Sequence, residues 1–367
     1  MSGRSVNRPT IVALGAGVLC AAAVVALGIA GEPVMPSYLG AWLFLLALPL
    51  GALPILMGCE LLDVPETALT VMLRRLAAVM PLAAVLALPV LFRLGSLYPS
   101  LSAVKAGLPG WWMTDTGFVL RTVLFLAVWT ALSSVFSRPD TGRLGGARRP
   151  VLAGLGLGLH LVMGTLAAFD WAQEVEPSFM SSAFGLLLIS AQCSVAVSTA
   201  VLMAVVGRPE AEASHALSSG RRDLVATEHV ATALAVLLGA WGFMVFTQYL
   251  VVWSANLPKE VVWYQHRSAG IGLLAEYCAG ILCALALVAL LPRAPARHAG
   301  VVAWVAAALL VMHGFEMLWL VTPAFRSAFT LTPADIAAVA AAAGLGIGGA
   351  LLFGDRAGTG RVGHGAT

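Results

Sequence analysis

The chain has 367 residues, of which 11% are charged and 60% hydrophobic, with a formal net charge of +3. A soluble domain carries about 25% charged residues to stay hydrated, so this composition excludes a water-soluble fold, a nucleotide-binding domain or a large catalytic centre outside the membrane. Lipid is the solvent that such a surface requires.

An apolar helix of about 20 residues crosses the roughly 30 Å hydrocarbon core of a bilayer. Ten apolar runs of that order are expected to do so, near 10–30, 38–59, 70–92, 117–137, 150–169, 181–206, 227–253, 270–292, 299–321 and 334–353. They are continuous rather than alternating and too long for barrel strands. The fold class expected is an all-α membrane protein of about ten transmembrane helices.

Arg4 and Arg8 precede the first run, which opens the alternative of a signal peptide. The run is long for such a segment and lacks a clean A-x-A cleavage site, so it reads as a helix. Residues 94–116 form an expected outer loop with Pro99, Pro109 and the interfacial pair Trp111–Trp112, and 207–226 an inner polar loop. The tail 354–367 is rich in Gly and Arg and is expected to be disordered. The five cysteines all fall in apolar runs without metal-site or haem-attachment spacing, and no disulfide is expected.

Ten spans put both termini on one side. That side collects 15 of the 21 Lys and Arg residues and the opposite side six, so the termini are expected to be cytoplasmic. Span four reads Gly117, Arg121, Arg138 and span eight reads Gly272, Glu276, Arg293, at a constant offset. This faint repeat implies duplicate four-helix units over about 38–169 and 181–321, with flanking helices at 10–30 and 334–353. Function in internally repeated membrane proteins often lies between or inside the halves.

Ionisable residues inside a membrane cost at least about 2.5–3.5 kcal/mol on insertion scales and are functional candidates by default. Here they are Arg121, Glu276, Glu316 and Asp170 in the outer half, His160 in span five, His313 three residues before Glu316, and Glu228 with His229 opening span seven on the inner side. Arg121 would neutralise one of the carboxylates if repeat-related helices meet. A purely structural ion pair, a proton path and a quinone-proximal network all stay open. His160 and His313 also invite a bis-histidine haem, against which their depths disagree; a satisfied core or relay role is the alternative. No metal site is expected.

The most distinctive stretch runs from Val245 to Arg267. Gln248, Tyr249 and Trp253 bring a helix to the outer interface; Asn256, Pro258, Glu260, Trp263, Tyr264, His266 and Arg267 follow. Its aromatics suit anchoring at headgroup depth, and its polar residues suit docking of a loop or partner. This stretch resembles the signature of the F-type membrane subunit of bacterial alternative complex III. A second block agrees, with Asp170-Trp171, Glu176-Pro177 and Ser181 through Phe184-Gly185. Departures from the family pattern are Phe179 for Trp, Ser254 for Tyr, Lys259 for Glu, and His229 where an acidic residue would open span seven.

The resemblance implies a membrane subunit of a quinol:cytochrome c (or other acceptor) oxidoreductase in a bacterial inner membrane, without catalytic residues or a redox cofactor of its own. It implies partners that carry iron–sulfur clusters and haem c, one of them molybdopterin-enzyme-like, and a paralogous polysulfide-reductase-type (NrfD-like) subunit better placed to bind quinol. For this subunit it implies proton half-channels, with quinone contact left open. A secondary transporter is the second reading of the repeat and buried charges, and a haem b membrane anchor the third.

Overall fold

The computed structural model describes residues 8–98, 101, 112, 114–139, 148–206, 216–291 and 299–358, with helix backbone only for 206, 216–227 and 354–358. The helices are α1 (Arg8–Ile29), α2 (Met35–Leu61), α3 (Ala68–Ala77), α4 (Met80–Val85), α5 (Leu88–Phe92), α6 (Leu94–Leu97), α7 (Asp115–Phe136) and α8 (Arg148–Ala168). After a π-helical turn at Phe169–Gln173 come α9 (Phe184–Val206), α10 (Ala216–Ala255), α11 (Pro258–Ser268), α12 (Gly272–Ala289), α13 (Ala299–Val321) and α14 (Pro333–Gly358). Among the described residues ten helical segments are long and apolar enough to cross a membrane, counting Ala68–Phe92 as one. The chain is an all-α membrane protein.

Three expectations need correction. The third span is not one helix: Pro81 and Pro89 each sit at the start of a new helical piece, because proline cannot donate to the preceding turn. The expected inner loop 207–226 is helical from Ala216, and α10 continues through it for 40 residues. At 1.5 Å per residue α10 is about 60 Å long, roughly twice a hydrocarbon core, so one end extends beyond any span. The expected disordered tail is helical as far as Gly358; residues 359–367 lie outside the described residues, as do 207–215 and most of 94–116 beyond Tyr98. All five cysteines are free thiols.

Helix packing repeats. In the first unit α2 packs on α3 and α8, α4 on α7, and α7 on α8; in the second α9 packs on α10 and α13, α10 on α12, and α12 on α13. Between the units α2 lies along α9, α8 touches α9, and α13 touches α2. α2 and α9 therefore stand at the centre of the bundle, and α3 also packs on α9. Accordingly 89% and 83% of the central residues of α2 and α9 are buried, against 11% in α1, 22% in α10 and 17% in α12. The outer pair α1 and α14 pack on each other, and α14 on α2.

Lipid tails are as apolar as Leu, so helices in a bilayer associate through close packing of small residues. At the seam, a Cβ added to Gly51 of α2 would land on the Gln192 carbonyl of α9. Gly51→Val should therefore destabilise the bundle by about 1–3 kcal/mol or more. Gly58→Val, where a Cβ meets nothing within 4 Å, serves as the control. Thermal unfolding of the detergent-solubilised protein reads the difference; equal unfolding temperatures for the two variants would contradict the seam.

Candidate functional site

Each unit holds its own polar cluster in the half of the bundle away from the termini. In the first unit the π turn after α8 inserts an extra residue and turns Asp170 and Trp171 inward. Asp170 receives a bidentate pair from Arg121, Nε to Oδ2 at 2.7 Å and Nη2 to Oδ1 at 2.9 Å. The Arg121 guanidinium also lies 4.2 Å from the Trp112 ring centre and donates to the Trp112 carbonyl. The Trp171 indole donates to Thr122, and Tyr98 donates to the Trp171 carbonyl. Burial, then the nearby carboxylates Asp170 and Glu174, pushes the Tyr98 phenol well above its usual range. His160, fully buried, accepts from the Trp129 indole at Nδ1 (3.1 Å), while its Nε2 has no hydrogen-bond partner among the described residues.

The second unit is built differently at the equivalent helix. His313 of α13 is held at both ring nitrogens, Nδ1 against Glu316 Oε2 at 2.6 Å and Nε2 against Ser194 Oγ of α9 at 3.0 Å. The other Glu316 oxygen accepts from the Trp241 indole of α10 at 2.7 Å. The spacing of three residues brings His313 and Glu316 to one helix face, as their sequence positions require.

From Glu316 polar groups continue toward the far side. One turn further along α13, the buried Trp319 indole nitrogen faces the Glu276 carboxylate of α12; two turns beyond Trp241 on α10, Gln248 Oε1 is buried with no hydrogen-bond partner among the described residues. That acceptor costs about 1–3 kcal/mol while unmatched and marks a place that can take an ordered water. The Gln248 amide nitrogen lies 3.5 Å from the Tyr264 hydroxyl. Burial raises the Tyr264 phenol to about 12, so it stays a neutral donor and acceptor. Glu276, half-buried on α12, accepts from Ser268 at 3.0 Å.

The column ends at the two sequence blocks, which meet in space. Arg267 is fully buried and donates to Glu176 (2.6 Å) and to the Trp263 and Leu320 carbonyls (3.1 and 2.6 Å), with its guanidinium 3.7 Å from the Trp263 ring centre. Burial draws its pKa down to about 10 against the opposing pull of Glu176, which leaves it charged at neutral pH. His266, its side chain 49% exposed, holds the second Glu176 oxygen at 3.0 Å. Phe179 stacks on Trp263 at 4.3 Å. Asn256 takes a left-handed conformation (φ 48°) that ends α10, and Pro258 then opens α11, so part of the motif encodes a helix–turn–helix.

Of the residues expected to form one network, Arg121 and Asp170 are brought together, as are His313 and Glu316. Glu276 makes no ion pair with Arg121, and His160 stands in the first unit with Trp129. Glu228 and His229 are exposed at the other end of α10 and join none of these clusters. Tyr249 and Trp253 are also exposed, as are Asn256 and Pro258; Glu260 is half-buried, and Trp263 and Arg267 point inward. Sequence reasoning missed Ser194 and Trp241, ordinary polar and aromatic positions in apolar runs. It also missed the cluster on the side opposite the termini in which Arg326 binds the buried Asp335 bidentately (2.7 and 3.0 Å) and Ser37 donates to Asp335 (2.7 Å). The threonine three residues before Asp335, a helix-capping spacing, was its signal. Among the described residues no group of three His, Cys, Asp or Glu side chains is arranged to hold a metal ion.

No protein-family model matches the chain, and no curated protein matches it in sequence.

Proposed function

We propose that the chain is a cofactor-free membrane subunit of a quinol-oxidising respiratory complex, and that the polar column of its second unit moves protons between mid-membrane and the side opposite the termini. The observation that carries this reading is the run from Ser194 through His313, Glu316 and Trp241 to Gln248, Tyr264 and Glu276. A histidine bonded at both ring nitrogens can accept a proton at one and release it at the other, and a carboxylate beside it can hold that proton in transit. The resemblance of the 170–185 and 245–267 blocks to the alternative complex III subunit supplies the context: partners with iron–sulfur clusters and haem c, a molybdopterin-enzyme-like subunit, an NrfD-like paralogue bearing the quinol site, and cytochrome c or another acceptor. On this reading the arginine-rich side faces the cytoplasm of a bacterium and the column opens outward.

Replacing Glu276 and Glu316 together by Gln keeps shape and hydrogen bonding but removes both proton-holding sites. In the assembled complex, reconstituted in vesicles with a pH-sensitive dye, the double variant should release fewer protons per electron than the wild type. An unchanged ratio at unchanged turnover would sink the reading.

A further inference from the structure

A cleft on the arginine-rich side lies where the end of α2, the start of α3, the end of α7 and the start of α8 meet, lined by Glu60, Asp63, Glu66, Arg74 and Arg149 among others. We propose that it binds the headgroup of an ethanolamine phospholipid, independently of the proton column. Two guanidinium groups converge at its floor: Arg74 Nη1 and Arg149 Nη2 both donate to the Arg138 carbonyl, at 2.6 and 2.9 Å. Arg149, only 4% exposed, is answered by Glu60 at 3.0 Å. Arg74 is paired with Glu66 at 3.9 Å, with Glu60 further off, and its Nε is buried with no hydrogen-bond partner among the described residues. The floor therefore presents cationic N–H groups that one more anion would satisfy.

The rim carries the opposite charge. Glu66, its side chain 50% exposed, precedes α3, and Asp63, beyond the end of α2 with φ 50°, makes no ion pair among the described residues. Glu66 precedes α3 and Arg74 lies two turns along it, with the Glu66 carboxylate 3.9 Å from Arg74 Nε, so the cation sits further along the helix than the carboxylate and within one headgroup's length of it. A phospholipid presents its charges in that order, phosphate toward the membrane and ammonium toward water. A purely anionic headgroup would set its outer end against two carboxylates. A choline headgroup has no N–H to donate to them. The ethanolamine ammonium has three.

The test uses the full chain purified in mild detergent, with thermal unfolding and native mass spectrometry after adding dioleoyl phosphatidylethanolamine, phosphatidylcholine, phosphatidylglycerol or sodium phosphate. The ethanolamine lipid should raise the unfolding temperature and bind about tenfold more tightly than the choline lipid, the difference that charge-assisted hydrogen bonds to the rim supply. Asp63→Asn, an exposed change outside any ion pair, should leave the lipid-free unfolding temperature unchanged and shrink that preference. Arg74→Gln should weaken all phospholipids. Equal binding of the choline lipid, equal binding of phosphatidylglycerol or free phosphate, or an undiminished preference in Asp63→Asn would each overturn the proposal.

Discussion

Replacing Arg267 by Met is expected to prevent stable folding of the second unit, with a loss of about 3–5 kcal/mol. The guanidinium is fully buried, and removing it leaves the Glu176 carboxylate with only the partly exposed His266 beside it and strips the Leu320 and Trp263 carbonyls of their donors. It also unseats the stack of Trp263 on Phe179, which joins the loop before α9 to α11. The double change Arg267→Met with Glu176→Leu removes both charges at once and should be milder than either single change, because a broken buried pair costs more than an apolar replacement. The yield and unfolding temperature of monodisperse protein read this directly. If the single variant is as stable as the wild type, the pair does not hold the two blocks together.

The second large effect separates the two histidines. His160 and His313 occupy corresponding helices of the two units, and both are fully buried. Only His313 has a carboxylate at one ring nitrogen and a hydroxyl at the other. His313→Ala should slow proton release by the assembled complex about a hundredfold, the scale on which a positioned acid–base group acts. His160→Ala, which removes one indole contact, should leave the release rate near that of the wild type once the lower stability of the bundle is allowed for. Equal losses in both variants would argue for packing roles alone.

Much of the fold was legible because hydropathy needs no partner to be read: a run of twenty apolar residues has few homes other than a bilayer. The charge asymmetry and the Gly117/Gly272 alignment added orientation and the repeat as expectations; that α2 and α9 are the helices at the centre, packed on each other, has no mark in hydropathy. Helix ends were less legible. No proline stands between Ala216 and Glu228 and the single Gly220 does not end the helix, so Ser218, Ser219 and the charges there read as a loop when they only mark the part of α10 beyond the apolar core.

The site was legible in its residue types and not in its pairings. That Arg121 needs a carboxylate follows from the cost of a buried charge; that the carboxylate is Asp170 depends on a π turn with no clear mark in the sequence. Glu316 and His313 share a face by spacing alone, but their second-helix partners, Ser194 and Trp241, become visible only when α9 and α10 are brought alongside. Glu228 and His229 carried the right chemistry at a boundary, yet they sit on an exposed face of α10 apart from the column.

The most direct test of the central claim is purification of the tagged chain in mild detergent from cells that make it natively, with mass spectrometry and an absorption spectrum of the product. Co-purifying iron–sulfur and haem c subunits are the predicted result. A colourless protein that purifies alone and binds a solute saturably would contradict the account and favour a transporter.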